Sequence, residues 1–123
     1  MKKILAVDDT EIMLDIIKLQ LENEGYQVET CNDPAIAMKK VSEEKFDLIL
    51  LDIMMPVTSG LDVLKFIKQQ EINQITPVVM LTAKDDMNSV RDCLTNGALE
   101  YLTKPFNIVS VKKRIAQILS QTK

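Results

Sequence analysis

Histidine and tryptophan are missing from all 123 residues, cysteine occurs twice, and aromatic side chains make up only 4% of the chain. Without histidine or a paired-cysteine motif, a zinc site has no ordinary ligands and proton transfer has no imidazole to serve it. Cys31 and Cys93 stand far apart with no metal-ligand spacing, the pattern of two small buried residues in a reducing compartment and not of a disulfide. No apolar run is long enough to span a membrane. The opening MKKILAVDD meets acid after four apolar residues, so it reads as a first strand and not as a secretion signal, and the cytoplasm is the expected location. Fifteen basic against 18 acidic residues leave a formal charge of −3 with no basic stripe among aromatics, which argues against direct nucleic-acid binding. There are only three glycines, and DDTEIML after the first apolar run has none. A flavin carrier, which would need a phosphate loop there, is therefore disfavoured.

What is present is organised around FDLILLDIMMPVTSG, Phe46 to Gly60. Leu48 to Leu51 is too short for a free helix and apolar on both faces, as expected of a buried strand in a parallel sheet. It ends at Asp52. An ionised group leaving a core needs water, a cation or a function to justify it, and in open α/β sheets sites form beyond the carboxyl ends of the strands. Pro56 and Gly60 then mark a loop, so Asp52 is expected to face a cleft.

The other units repeat this plan. Ile4 to Val7 is a strand ending in Asp8 and Asp9; Thr10 is a candidate cap for a helix from Glu11 to Glu24 with Met13, Ile16, Ile17 and Leu21 inward and Gly25 as its stop. Gln27 to Cys31 predicts an edge strand. Asp33 and Pro34 open a helix through about Glu44 that packs Ile36, Ala37 and Val41. A third helix, from Leu61 to near Gln70, is followed by a polar connection to Thr76. Val78 to Leu81 is a strand ending in Thr82 and Ala83, and a helix over Met87 to Asn96 stops at Gly97. Glu100 to Thr103 is a short strand ending at Lys104, and Asn107 caps a last helix with Ile108, Val111, Ile115, Ile118 and Leu119 inward. Five strand-then-helix units without repeat or linker predict one domain over 1–123, an α/β parallel sheet covered on both faces.

Parallel strands bring their carboxyl ends to one edge, so Asp8, Asp9, Asp52, Thr82 and Lys104 are expected to converge. Three carboxylates so close repel one another, and a hard divalent cation such as Mg²⁺ relieves this. A carboxylate beside Mg²⁺, a lysine and a hydroxyl suits phosphoryl transfer. Asp52 would attack phosphorus and become an acyl phosphate, Lys104 would balance the phosphoryl oxygens, and the Thr82 hydroxyl and Ala83 amide would donate hydrogen bonds. Each residue alone has a plainer reading: Asp8 and Asp9 a turn, Lys104 a surface lysine, Thr82 a strand residue, Lys112 to Arg114 a solvated helix face. Their arrival at matching strand ends favours a site.

Four motifs in order carry a resemblance along the whole chain: VDD at Val7 to Asp9, D-x-x-M-P-x-x-x-G from Asp52 through Met55, Pro56 and Gly60, TA at Thr82 and Ala83, and KPF at Lys104 to Phe106. The chain resembles the CheY-like receiver domain of bacterial two-component response regulators. The resemblance implies a flavodoxin-like (βα)5 doubly wound fold with strand order 2-1-3-4-5, phosphorylated on Asp52 by a histidine kinase or histidine phosphotransfer protein. It further implies Asp9 as a direct Mg²⁺ ligand, Asp8 acting mostly through water, the backbone carbonyl of Met54 completing the site, and Thr82 with Tyr101 as a switch pair, although Tyr101 also reads as a half-buried edge aromatic. By the same resemblance the bond before Pro105 is cis and Met54 and Lys84 tune phosphoryl lifetime. The chain is then a monomer or a phosphorylation-dependent dimer: Arg114 matches a basic position of a dimer face from which Leu99 and Ser110 depart. An unidentified output partner completes the reading, and the docking surface is expected to include Thr10, Ile12, Pro105 and Phe106. Of the competing functions, a Mg²⁺-dependent aspartyl-phosphate phosphatase lacks its second carboxylate two positions after Asp52, where Met54 stands. The chain is thus expected to be a signalling switch with at most weak self-dephosphorylation and not an enzyme.

Overall fold

The computed structural model describes residues 1–55, 57–83, 87–104 and 107–121. Strands and helices alternate: β1 (Lys3–Val7), α1 (Glu11–Glu22), β2 (Gln27–Cys31), α2 (Pro34–Glu43), β3 (Leu48–Asp52), α3 (Gly60–Gln69), β4 (Val78–Ala83), α4 (Met87–Thr95), β5 (Glu100–Lys104) and α5 (Ile108–Gln121). The five strands form one sheet in the order β2-β1-β3-β4-β5, and all four pairings are parallel. This is the expected doubly wound sheet, with β2 on an edge. Among the described residues no helix is long and apolar enough to cross a membrane.

Strand side chains alternate between two cores. Leu5, Val7, Ile49, Leu51 and Met80 pack on one face with residues of α2, α3 and α4. Ile4, Ala6, Leu48, Leu50, Val79 and Leu81 pack on the other with α1 and α5. Burial on both faces is why β3 is apolar throughout its first four residues.

Two predicted helix faces are corrected. On α1 the inward residues are Leu14, Ile17 and Leu21, while Ile16 is exposed; MLDII offers two overlapping apolar stripes, and the position of the sheet selects one. On α2, Ala37 and Val41 are buried but Ile36 faces solvent in the first turn. Capping also differs in one place. Asp33 accepts from Ala35 N at 2.7 Å and Ile36 N at 3.4 Å, and Asn107 accepts from Val109 N at 2.8 Å, as predicted. Thr10 occupies the cap position of α1 but its side chain makes no cap bond. Its backbone N–H instead donates to Asp8 Oδ1 at 2.9 Å, so an aspartate turn steers the chain into α1.

The connection between α3 and β4 is more than a polar spacer. Asn73 and Thr76 within it are fully buried. Asn73 Oδ1 accepts from Phe46 N at 2.9 Å while its Nδ2 donates to Val41 O and Glu44 O, each at 2.7 Å. These bonds fasten the entry of β3 to the entry of β4.

Candidate functional site

The order 2-1-3 reverses the winding between β1 and β3, and a crevice opens beyond their carboxyl ends. Asp8 follows β1, its N–H donating to Cys31 O of β2 at 3.1 Å. Asp52 ends β3, with Ile53 N donating to Leu81 O at 2.9 Å. Register sets the other ends level: Asp52 lies opposite Leu81, Thr82 opposite Thr103, and Ala83 opposite Lys104.

Four of the side chains expected at this edge, those of Asp8, Asp9, Asp52 and Lys104, come together. Carboxylate oxygens of Asp8, Asp9 and Asp52 lie within 4.8 Å of one another. Lys104 Nζ reaches between two of them, 2.8 Å from Asp8 Oδ2 and 3.4 Å from Asp52 Oδ2. Asp8 and Thr82 are fully buried, Asp52 nearly so, and Asp9 is exposed at the mouth. Asp52 Oδ1 also accepts from Met54 N at 3.3 Å, which turns the backbone back toward the carboxylate. Tyr101 is half-buried, packed against the core that holds Met80 and Val90.

The electrostatics of the cleft are unbalanced. Burial, then the Asp8 charge, push Asp52 up to about 6, against the opposing pull of Lys104 and the Met54 N–H. Burial alone would depress the Lys104 ammonium, but its bond to Asp8 and the charges of Asp52 and Asp8 outweigh this and raise it. Among the described residues three carboxylates face one ammonium here, and a further cation would let all three ionise. Three oxygen donors of the hard kind, with neither histidine nor thiolate beside them, fit Mg²⁺.

Gly60 holds the loop that follows Asp52. Its N–H donates to Ile53 O at 2.8 Å. A Cβ on it would lie 2.1 Å from Asp52 O and 2.7 Å from Ile53 Cα, so only glycine lets α3 begin against the end of β3. Within this loop Val57 is fully exposed with φ 70°, a left-handed conformation that strains a β-branched residue. Gly60→Ala is expected to lower unfolding free energy by roughly 2 kcal/mol through forced backbone movement; a urea melt matching the wild type would contradict that packing argument.

Other predicted residues fall as follows. Met54 and Ile12 are exposed near the cleft. Pro56, Lys84, Pro105 and Phe106 lie outside the described residues, and with them the expected cis bond and part of the docking loop. The basic run on α5 is not a simple solvated face. Arg114 grips Glu100 of β5 through Nε, 2.8 Å from each carboxylate oxygen, and through a second guanidinium nitrogen. Lys112 reaches Gln20 Oε1 at 3.2 Å. Sequence reasoning missed the Cys31 carbonyl that anchors Asp8, because backbone acceptors leave no trace in residue type.

The strand order is that of a flavodoxin-like doubly wound sheet, with a lysine-bridged acidic crevice at its topological switch point. The chain matches the profile of the response regulator receiver domain over residues 4–116, and it belongs to that family. It is 42% identical over 121 residues to the alkaline phosphatase synthesis transcriptional regulatory protein PhoP of Bacillus subtilis, covering 98% of this chain and 50% of that one. It is 39% identical to the response regulator ArlR of Staphylococcus saprophyticus, covering 97% of this chain and 53% of that one. The chain therefore spans about half the length of these curated relatives. Among solved structures, the chemotaxis protein CheY4 of Vibrio cholerae superposes with a TM-score of 0.89 at 33% identity, over 96% of this chain and 98% of that one. The receiver domain of the sensor histidine kinase PA1611 from Pseudomonas aeruginosa does so with 0.88 at 28% identity, over 98% of each chain, and holds a magnesium ion in its active-site cleft.

Proposed function

We propose that residues 1–123 act as one phosphoryl-accepting switch unit in the cytoplasm, with Asp52 taking the phosphoryl group from a histidine kinase or a histidine phosphotransfer protein. The observation that carries this is the Lys104 ammonium set between Asp8 and Asp52 at 2.8 and 3.4 Å, with the Asp9 carboxylate gathered beside them. An Asp52 carboxylate oxygen attacks phosphorus. The P–N bond to the imidazole breaks, its electron pair stays on nitrogen, and an acyl phosphate forms. Asp8, Asp9, Asp52 and the carbonyl of Met54 are the groups that would hold Mg²⁺, which when bound neutralises charge on the phosphoryl oxygens. Lys104 offers the phosphoryl oxygens a charge-assisted hydrogen bond, and the Thr82 hydroxyl and Ala83 amide add neutral ones.

Thr82 and Tyr101 form the switch pair in this reading. Drawing the Thr82 hydroxyl toward a new anion vacates space on the β5 side, into which the half-buried Tyr101 ring moves, a local repacking that changes partner affinity. The kinase docks over Thr10 and Ile12, which are exposed beside the cleft.

The test is intact mass after incubation with acetyl phosphate and Mg²⁺. Wild type is expected to gain one labile phosphoryl group and Asp52→Ala none; labelling of Asp52→Ala, or turnover of many phosphomonoesters by wild type, would reject the reading. Lys104→Ala is expected to retain some labelling yet lose phosphate-dependent partner binding, since the group that senses the anion is gone. Unchanged partner binding in that variant would remove Lys104 from the switch.

A further inference from the structure

At the edge of the sheet opposite the acidic cleft, a groove of about 470 Å³ lies between the α3–β4 connection, the α4–β5 corner and the last turn of α5. Its size falls within the range of small-molecule sites, roughly 300–1,000 Å³. Pro77, Ala98 and Ile118 line it together with Ile75 and Leu99, which are 86% and 50% exposed.

Among the described residues one cation, Lys68, borders this apolar hollow. It extends from α3 with its stem beneath Gly97, where a Cβ would come within 3.4 Å of Lys68 Cγ and Cε. Its Nζ donates to Thr76 O at 2.9 Å and Gln74 O at 3.3 Å. An ammonium has three donors, so among the described residues one remains, and no carboxylate among them forms an ion pair with it. Burial, then the neighbouring Lys45 charge, depress its pKa, as expected of a cation lacking a counter-charge.

The backbone of the lining is already committed. Gly97, Ala98 and Leu99 donate their N–H groups to Leu94 O, Cys93 O and Val78 O at 3.3, 3.0 and 2.8 Å. A peptide laid in the groove would leave its own carbonyls without these donors. A hydrocarbon chain has none to satisfy and needs one anchor for its charged end.

We propose that this groove binds a short aliphatic carboxylate, with its oxygens on Lys68 Nζ and its chain against Ile75, Pro77 and Leu99. The assignment is independent of the phosphorylation cleft. Octanoate titrated into isotope-labelled protein is expected to shift the amides of Gly97, Ala98 and Leu99 saturably, whereas octylammonium leaves them in place. Lys68→Gln, which keeps the stem and removes the charge, is expected to weaken octanoate binding about tenfold. Absence of a saturable shift, equal binding of octylammonium, or unchanged binding by folded Lys68→Gln would overturn the proposal. So would tighter binding of acetyl-Leu-Leu-Glu-Leu-amide than of octanoate, which would make the groove a protein-docking surface. Should Lys68→Gln fail to fold, the wild-type comparison of octanoate with octylammonium decides.

Discussion

In chelator at about pH 7.5, Asp52→Asn is expected to be more stable than the wild type by roughly 2 kcal/mol. Asp52 sits nearly buried beside Asp8 with its carboxyl raised to about 6, whereas in an unfolded chain it titrates near 3.9. The raised value means that the folded state holds the Asp52 proton more tightly. Between about pH 4 and 6 the native protein therefore binds more protons than the unfolded one, and stability falls as pH rises through that window. Above it the penalty is complete and constant; below it both states are protonated and the penalty vanishes. A separation of about two pKa units corresponds to roughly 3 kcal/mol as an upper value, reduced by solvent screening at the cleft mouth.

The carboxamide that Asp52→Asn introduces cannot ionise, so the variant avoids this penalty while Lys104 keeps its 2.8 Å bond to Asp8. The difference between the two proteins is thus expected to be large at about pH 7.5 and small at about pH 4, read from urea midpoints in chelator. Added Mg²⁺ is expected to reverse the ranking at the higher pH, because a ligand that binds only the folded state stabilises it and the variant replaces an anionic oxygen of the proposed site by a neutral one. A variant less stable than wild type in chelator at the higher pH would show that the cleft tolerates its carboxylates without a cation.

The same chemistry explains why the cleft was legible in the sequence. Asp8, Asp9, Asp52, Thr82 and Lys104 are polar residues placed where apolar strands end, and parallel pairing sends such ends to one edge. Residue type and strand position together are enough to specify that convergence. Faces of helices were less legible: in α1 both Leu14 and Ile16 are apolar, and only packing against the sheet decides that Leu14 turns inward. Partnerships across elements were least legible. Nothing about Arg114 in isolation announces Glu100, which lies on a different element, and EINQIT between α3 and β4 has the composition of a solvated link. A buried polar residue betrays itself only through the backbone groups it satisfies, and those carry no sequence signature.

That hidden role makes Asn73→Ala a costly substitution away from the cleft, expected to lower unfolding free energy by roughly 4 kcal/mol. Asn73 is fully buried and serves three backbone groups from one side chain: Phe46 N, Val41 O and Glu44 O, at 2.9, 2.7 and 2.7 Å. Alanine leaves all three without that partner, and each unmet buried group costs about 1–3 kcal/mol. The Thr76 hydroxyl, 2.9 Å from Asn73 Oδ1, retains Phe46 O at 3.1 Å and Lys45 Nζ at 3.0 Å, so it limits the loss without replacing the amide. Asn73→Asp is expected to fare no better, because a carboxylate accepts from Phe46 N but cannot donate to the two carbonyls and adds a buried charge. The site itself should be spared, since Asn73 anchors the entry of β3 and Asp52 ends that strand. Molecules of Asn73→Ala that remain folded are therefore expected to give the same Mg²⁺ titration as the wild type. A urea melt showing a loss below about 1 kcal/mol would mean that water satisfies these groups and that the two loops are not latched by Asn73.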